Sequence, residues 1–213
     1  MKKLISLISS TLLLTIFSAK AADYGVGITG AMHYLDASGT ETTRNSSEKN
    51  SGSHDETVVV PEIFVEAFLD NGASLGLSYI PVRDMGSKSR TDSNSDGDSG
   101  TYKAQAELEN VIQVYTDIPA GQLYGRDSYV KLGLQHVTLA TLESLNSGST
   151  YPNEDLLGFT IGYGVKGDLS GSMYYKGEVS YTNFEPYEGR SMGNKVEADL
   201  EDYAAKFSIG YAF

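Results

Sequence analysis

The feature that most constrains this chain is a two-residue periodicity that returns in one segment after another. From Tyr24 to Tyr34, one face carries Tyr24, Val26, Ile28, Met32 and Tyr34, and the other carries Gly25, Gly27, Thr29, Ala31 and His33. Side chains of a β-strand point alternately to its two faces, so this pattern specifies a strand with one apolar side and one small or polar side. The same reading gives strands at about Val58–Leu69, from Ala73 onward, and from Tyr102 to Val114. Further strands follow at Tyr129–Gln135, Leu157–Val165, Met173–Thr182 and Lys206–Phe213. Eight segments of this length each suffice to cross a bilayer as tilted strands.

The links between these strands sort by length. Polar, aperiodic stretches cover residues 36–56, 83–100, 143–155 and 184–196. Between them fall shorter turns: Asp70-Asn71-Gly72, the Pro119- and Gly121-containing stretch 116–127, and 167–171. Asn-Gly between alternating strands is a strong hairpin signal. Strict alternation of long and short links predicts an all-β, eight-stranded antiparallel up-and-down transmembrane barrel, with short turns at one end and long loops at the other.

The N-terminus supports an extracytoplasmic destination. Lys2 and Lys3 precede an apolar run, Leu4 to Phe17, and Ala19-Lys20-Ala21 supplies the small-x-small pattern of a cleavage site. The run is shorter than the ~20 apolar residues a membrane helix needs. We assign residues 1–21 to a signal peptide and 22–213 to one barrel domain. No cysteine is present, which excludes a disulfide scaffold and thiol chemistry. With 28 acidic residues against 16 basic ones, the chain lacks the basic surface that nucleic acid demands.

At the C-terminus Phe207, Ile209, Tyr211 and Phe213 alternate with Lys206, Ser208, Gly210 and Ala212. Here the chain resembles outer-membrane β-barrel proteins, whose last strand ends in an aromatic residue with apolar residues at every second position before it. The resemblance implies that Phe207, Ile209, Tyr211 and Phe213 form the signal read by the barrel-assembly machinery, with periplasmic chaperones escorting the chain. In size and layout the chain is similar to the small OmpA/OmpX-type, porin-like barrels. That likeness implies a Gram-negative cell outer membrane, contact with its lipid and lipopolysaccharide, and a monomer.

The lumen of an eight-stranded barrel is just wide enough for side chains to fill. The polar faces assign Glu62, Glu66, Lys103, Glu107, Glu109, Lys131, Lys176, Glu178 and Lys206 to the interior. Isolated buried charges are costly, so acids and lysines there are expected to pair into a plug that holds the wall in shape. Small residues at Gly76, Gly158, Gly162 and Gly164 leave a second reading open, a narrow porin-like channel for small cations or solutes. Tyrosines at strand ends (Tyr24, Tyr34, Tyr79, Tyr102, Tyr163, Tyr181) suit the aromatic girdles of membrane barrels.

Other chemistry has thin support. Asp92, Asn94, Asp96 and Asp98 place oxygen ligands at the alternate spacing of a Ca2+ loop, but Lys103 stands where a bidentate Glu belongs and no helix flanks it. A solvated acidic loop gives the same composition. The histidines, His33, His54 and His136, show no arrangement with Ser and an acid that fixes a triad. His33 and His136 are expected at the outer rim. No cofactor fingerprint appears, and no enzymatic activity is expected. The two functional classes left are a structural or surface-interaction barrel with acidic external loops, and a transport barrel.

Overall fold

A computed structural model describes residues 21–42, 49–92, 100–144, 151–191 and 193–213. Among the described residues ten antiparallel strands form the fold: β1 (Ala21–Thr42), β2 (Lys49–Leu69), β3 (Ser74–Ile80), β4 (Arg83–Asp92) and β5 (Gly100–Leu123) come first. β6 (Arg126–Ser144), β7 (Glu154–Ser170), β8 (Met173–Phe184), β9 (Tyr187–Ser191) and β10 (Asn194–Ala212) complete it. β3 and β4 are one stave of the wall interrupted at Pro81, since both pair with β5. β8 and β9 are likewise one stave interrupted at Pro186, and both pair with β10. The ten strands thus make eight staves, and β1 closes the ring on β10 from Gly25↔Ala212 to Thr42↔Lys195.

Three tight reversals lie at one end of the barrel. At the first, Gly72 (φ 81°) donates its N–H to the Leu69 carbonyl, while the Asn71 side chain accepts from Ala73 N–H. The Asp70-Asn71-Gly72 signal therefore acts as the sequence implies. At the second, Tyr124 (φ 51°) and Gly125 (φ 75°) turn the chain, because a two-residue hairpin of this kind needs positive φ at both central positions. The expected turn at 116–127 is thus mostly strand, with a bulge between Pro119 and Gln122.

The polar stretches also contribute more wall than their composition suggests. β1 continues to Thr42, β2 begins at Lys49, β4 occupies 83–92, and β9 with β10 forms a hairpin inside 184–196. Ser, Thr and Asn lack an apolar face there, yet their backbone still completes the ladder. The barrel consequently rises well above its apolar belt.

That belt faces outward and includes Val26, Ile28, Ile63, Leu77, Phe159 and Phe207, each more than a third exposed. Among the described residues no helix is long and apolar enough to cross a membrane. The spanning elements are strands. Tyr24, Tyr34, Tyr79 and Tyr163 also face outward near the edges of the belt, and Tyr34, Tyr181 and Tyr203 form one aromatic row, with neighbouring rings 6.2 and 5.0 Å apart. The side chain of Tyr102 lies outside the described ones.

The interior changes character along the barrel axis. Its lower part is polar and charged. Its upper part is an apolar cap of Leu35, Ile80, Leu108, Leu156, Phe184 and Leu200, with Met85, Val111, Val137, Leu139 and Tyr187.

Strand β5 shows why simple alternation misplaces the residues above Asn110. Asn110 adopts φ 52° at a bulge between Glu109 and Ile112, and one extra residue swaps the faces of a strand. Above the bulge Leu108 points inward, fully buried, and Glu107 and Glu109 point out, partly exposed. Below it Val111, Gln113, Tyr115 and Asp117 point inward. The assignment of Glu107 and Glu109 to the lumen is thereby corrected. This yields a sharp contrast. Leu108→Ala should cost about 2–5 kcal/mol, whereas Glu107→Ala should stay within about 0.5 kcal/mol, read by urea unfolding of the protein refolded in lipid vesicles.

Candidate functional site

The lumen is the candidate site, and it is built from inward-facing residues of every stave. Near its floor the phenol of Tyr174 lies edge-on to Phe68, 5.5 Å between centroids, and donates to Glu66 Oε1 at 2.7 Å. Glu66 also accepts from Ser74 (3.1 Å), Tyr115 (3.3 Å) and Lys176 Nζ (3.0 Å). Lys176 reaches Asp117 as well, at 2.5 Å. Lys131 binds Glu178 at 2.7 Å and stands 3.8 Å from Asp117, and Tyr129 donates to Glu178 at 3.0 Å. The two ammonium groups also sit over aromatic faces: Lys131 is 4.1 Å from the Tyr115 centroid, and Lys176 is 5.1 Å from it.

A neutral layer follows. Thr29 and Ser208 hydroxyls meet at 2.7 Å, Gln113 donates to Thr160 at 2.9 Å, and Thr160 meets Thr182 at 2.8 Å. The cavity in this layer is about 20 Å3, and Thr29, Glu62, Gln113, Lys131 and Ser208 are among the residues lining it. That is room for about one water.

A second ionic cluster lies above it. Lys206 donates to both oxygens of Glu62, at 2.9 and 3.1 Å. His33 Nε2 is 2.9 Å from Glu62, and Nδ1 is 2.9 Å from Asp202. The ring thus stands between the two carboxylates. Arg83 Nη1 donates to Asp202 at 2.6 Å. Arg83 is the largest fully buried side chain among the described residues, and its Nε and Nη2 have no hydrogen-bond partner among them. The apolar cap begins directly beyond.

The geometry places six of the nine residues assigned to the lumen inside it: Glu62, Glu66, Lys131, Lys176, Glu178 and Lys206. Glu107 and Glu109 are outside, for the reason given above, and the side chain of Lys103 lies outside the described ones. The glycines that left room for a channel are occupied. Rings of Tyr115 and Tyr129 lie against Gly76 and Gly164, Phe184 lies against Gly158, and Ser180 and Lys131 crowd Gly162.

Four network members escape a reading of the sequence alone. Pro119 and Gly121 make the segment around Asp117 look like a turn, and the polar stretch around Arg83 looks like a loop. Asp202 precedes the stretch read as the last strand, although it keeps the even-numbered phase of Lys206, Ser208 and Gly210. His33 is not at the expected rim but fully buried in the lumen. His136 does face outward, half exposed, 4.0 Å from Asp155.

Of the Ca2+ candidates, Asn94, Asp96 and Asp98 lie outside the described residues, and Asp92 ends β4. Among the described residues no group of three or more metal-ligating side chains converges to hold an ion. At the C-terminal strand Phe207, Tyr211 and Phe213 are exposed on the outer face, as is Ile209 at 38%. Tyr24 and Phe213 exchange backbone hydrogen bonds at 3.0 and 2.8 Å, beside the closure of the ring.

A closed antiparallel ring with an apolar exterior and a charged, hydrogen-bonded interior is the fold of outer-membrane β-barrels. Solved structures agree. The chain is similar to OprG, an outer membrane protein of Pseudomonas aeruginosa, with a TM-score of 0.53 and 12% identity over 92% of this chain and 98% of that one. It is also similar to the outer membrane protease OmpT of Escherichia coli, with a TM-score of 0.51 and 8% identity over the same shares. At such identities the likeness is one of fold. No protein-family model matches the chain, and no curated protein matches it in sequence.

Lys176 tests the network, since among the described residues it alone bridges Glu66 and Asp117. Lys176→Met leaves two buried carboxylates short of their cation, and should lower stability by about 3–5 kcal/mol. Lys195→Ala removes only rim contacts to Glu188 and Glu197 and should leave the unfolding midpoint unmoved. Urea titration in vesicles, followed by the shift of the folded band on unheated gels, reads both.

Proposed function

We propose that this protein is a structural, surface-interacting barrel of the outer membrane, with a lumen closed to solutes and no catalytic role. One observation carries the reading: two paired ionic clusters are stacked beneath an apolar cap, and the glycines that could have opened a lumen are filled, Gly76, Gly158 and Gly164 by aromatic rings and Gly162 by Ser180 and Lys131. A conducting path needs mobile water and sites an ion can leave. Here each interior carboxylate is held by a cation, and an ion would next meet Leu35, Ile80, Leu108 and Leu200.

The wall that rises above the apolar belt is hydroxyl-rich and acidic. Its outer face carries Asp36, Asp55, Glu197, Asp199 and Glu201, and it offers hydrogen bonds and charge to partners outside the cell. In this reading the first 21 residues are removed on export, and the C-terminal strand carries the assembly signal. Lipid and lipopolysaccharide are the constant surroundings. The identity of a partner follows from loop chemistry, which fold alone does not supply.

Planar-bilayer recording of the refolded protein tests the closed lumen. We expect no steady openings from preparations whose gel band shifts on heating. Reproducible cation-selective steps would overturn the reading in favour of a narrow channel, and would direct attention to Glu62, Glu66 and Glu178.

A further inference from the structure

The ring of backbone hydrogen bonds is continuous everywhere around the lower barrel, but not above it. β2 pairs with β3 from Phe68↔Ser74 to Ile63↔Tyr79 and stops there. Two more steps of this register would set Pro61 opposite Pro81. Proline has no N–H for a ladder, so two facing prolines end the pairing. Above them β4 pairs only with β5, and among the described residues no ladder joins β4 to the upper half of β2.

The seam is closed by side chains. Gly86 of β4, at φ 81°, lies so near β2 that a Cβ there would collide with the His54 imidazole and come within 2.9 Å of a Glu56 oxygen. Inside the barrel, Arg83, the first residue of β4, crosses to Asp202 of β10 at 2.6 Å. His33 of β1 then joins Asp202 to Glu62 of β2, and Lys206 of β10 holds Glu62. The cluster therefore fastens β4 to the β2–β1–β10 block across the place where the backbone does not.

We infer that β4 is a hinged segment of the wall, closed against β2 by the Arg83–Asp202 latch. The hinge is the Pro81–Val82 break and the Asn110 bulge, which face each other on neighbouring staves between Ile80↔Val111 and Arg83↔Leu108. The same short strand supplies Arg83 to the polar network and Met85 to the apolar cap. An outward swing of β4 withdraws both at once, so the lateral seam and the axial plug open together. The two unpartnered donors of the buried Arg83 suit such a latch, because a buried guanidinium with unmet hydrogen bonds is held less firmly than a satisfied one.

Hydrogen–deuterium exchange of the full refolded chain tests the inference, with Arg83→Gln and Asp202→Asn as variants. Exchange of the β4 amides that pair with β5 should quicken at least tenfold in each, while the β6–β7–β8 ladder keeps its wild-type protection. Unchanged β4 exchange in both variants, or an equal gain around the whole barrel, would overturn it. A second measurement needs only Asp202→Asn to fold. In this cysteine-free chain, nitroxides on Thr57→Cys and Ser87→Cys should give a narrow distance distribution with Asp202 in place and a broad one in the Asp202→Asn background. A pair on Phe159→Cys and Asn183→Cys, opposite each other in the intact β7–β8 ladder, should stay narrow in both. Equal widths at the seam, with and without the substitution, would sink the latch.

Discussion

Backbone pairing in a medium without water is the constraint on which the rest of this structure depends. Every unpaired N–H or C=O exposed to hydrocarbon costs several kcal/mol, so a strand-built span must close on itself. The β1–β10 ladder meets that demand, and it does so over eighteen residue pairs, from Gly25↔Ala212 to Thr42↔Lys195. Once the ring is closed, alternation leaves each residue only two destinations. Val26, Ile28 and Phe207 go to lipid, and Thr29, Glu62 and Ser208 go to the lumen. The ladder lapses where Pro61 and Pro81 would face each other, above the lower belt, and again beyond Pro186, where among the described residues β9 pairs with β10 but not with β7; at the first of these, side chains take over from the backbone.

The lumen follows from the narrowness of an eight-stave ring. The cavity left holds about one water, so charge must be met by charge. Replacing such a network by apolar residues of equal volume need not destabilise a protein, whereas removing one member of it does. The pattern here therefore acts as a specification. Lys176 can satisfy Glu66 and Asp117 together only if β2, β5 and β8 stand in their observed register. Tyr115, Tyr129 and Tyr174 contribute in the same way, each ring fitting where a glycine on a neighbouring strand has no side chain.

How much of this was legible depends on the signal each residue left. The lower halves of β1, β7 and β10 could be read because alternation there is unbroken, and Asp70-Asn71-Gly72 carried its own turn chemistry. Six lumen residues followed from the same arithmetic. The failures trace to single residues. Asn110 adopts a positive φ that its type permits but does not announce, and from there upward Leu108, Glu107 and Glu109 exchange faces. The polar stretch from Arg83 onward did not announce that the stave resumes beyond Pro81 with Arg83 pointing inward. Hydroxyl-rich stretches such as 36–42 and 49–56 carry no apolar period, although their backbone pairs fully.

Those resets have a common purpose, which becomes visible when the two halves of the barrel are compared. Below, the wall must be apolar outside and polar inside. Above, in contact with water, it must be the reverse, and the residues of one strand have to change roles partway along. β1 does this by composition on an unbroken strand: outward Met32 and Tyr34 give way to Asp36 and Ser38, and inward Thr29 and His33 give way to Leu35 and Ala37. β5 and the staves at Pro81 and Pro186 do it by shifting phase, so that Ile80 and Met85, or Phe184 and Tyr187, all reach the cap despite an odd separation. A phase shift needs a bulge or a proline, and both weaken the ladder locally. The boundary between lipid and water is thus where this barrel's wall is least continuous. It is also where Arg83, Asp202, His33 and Glu62 are gathered, so the ionic cluster lies at the height where the wall has most need of a tie other than its own backbone.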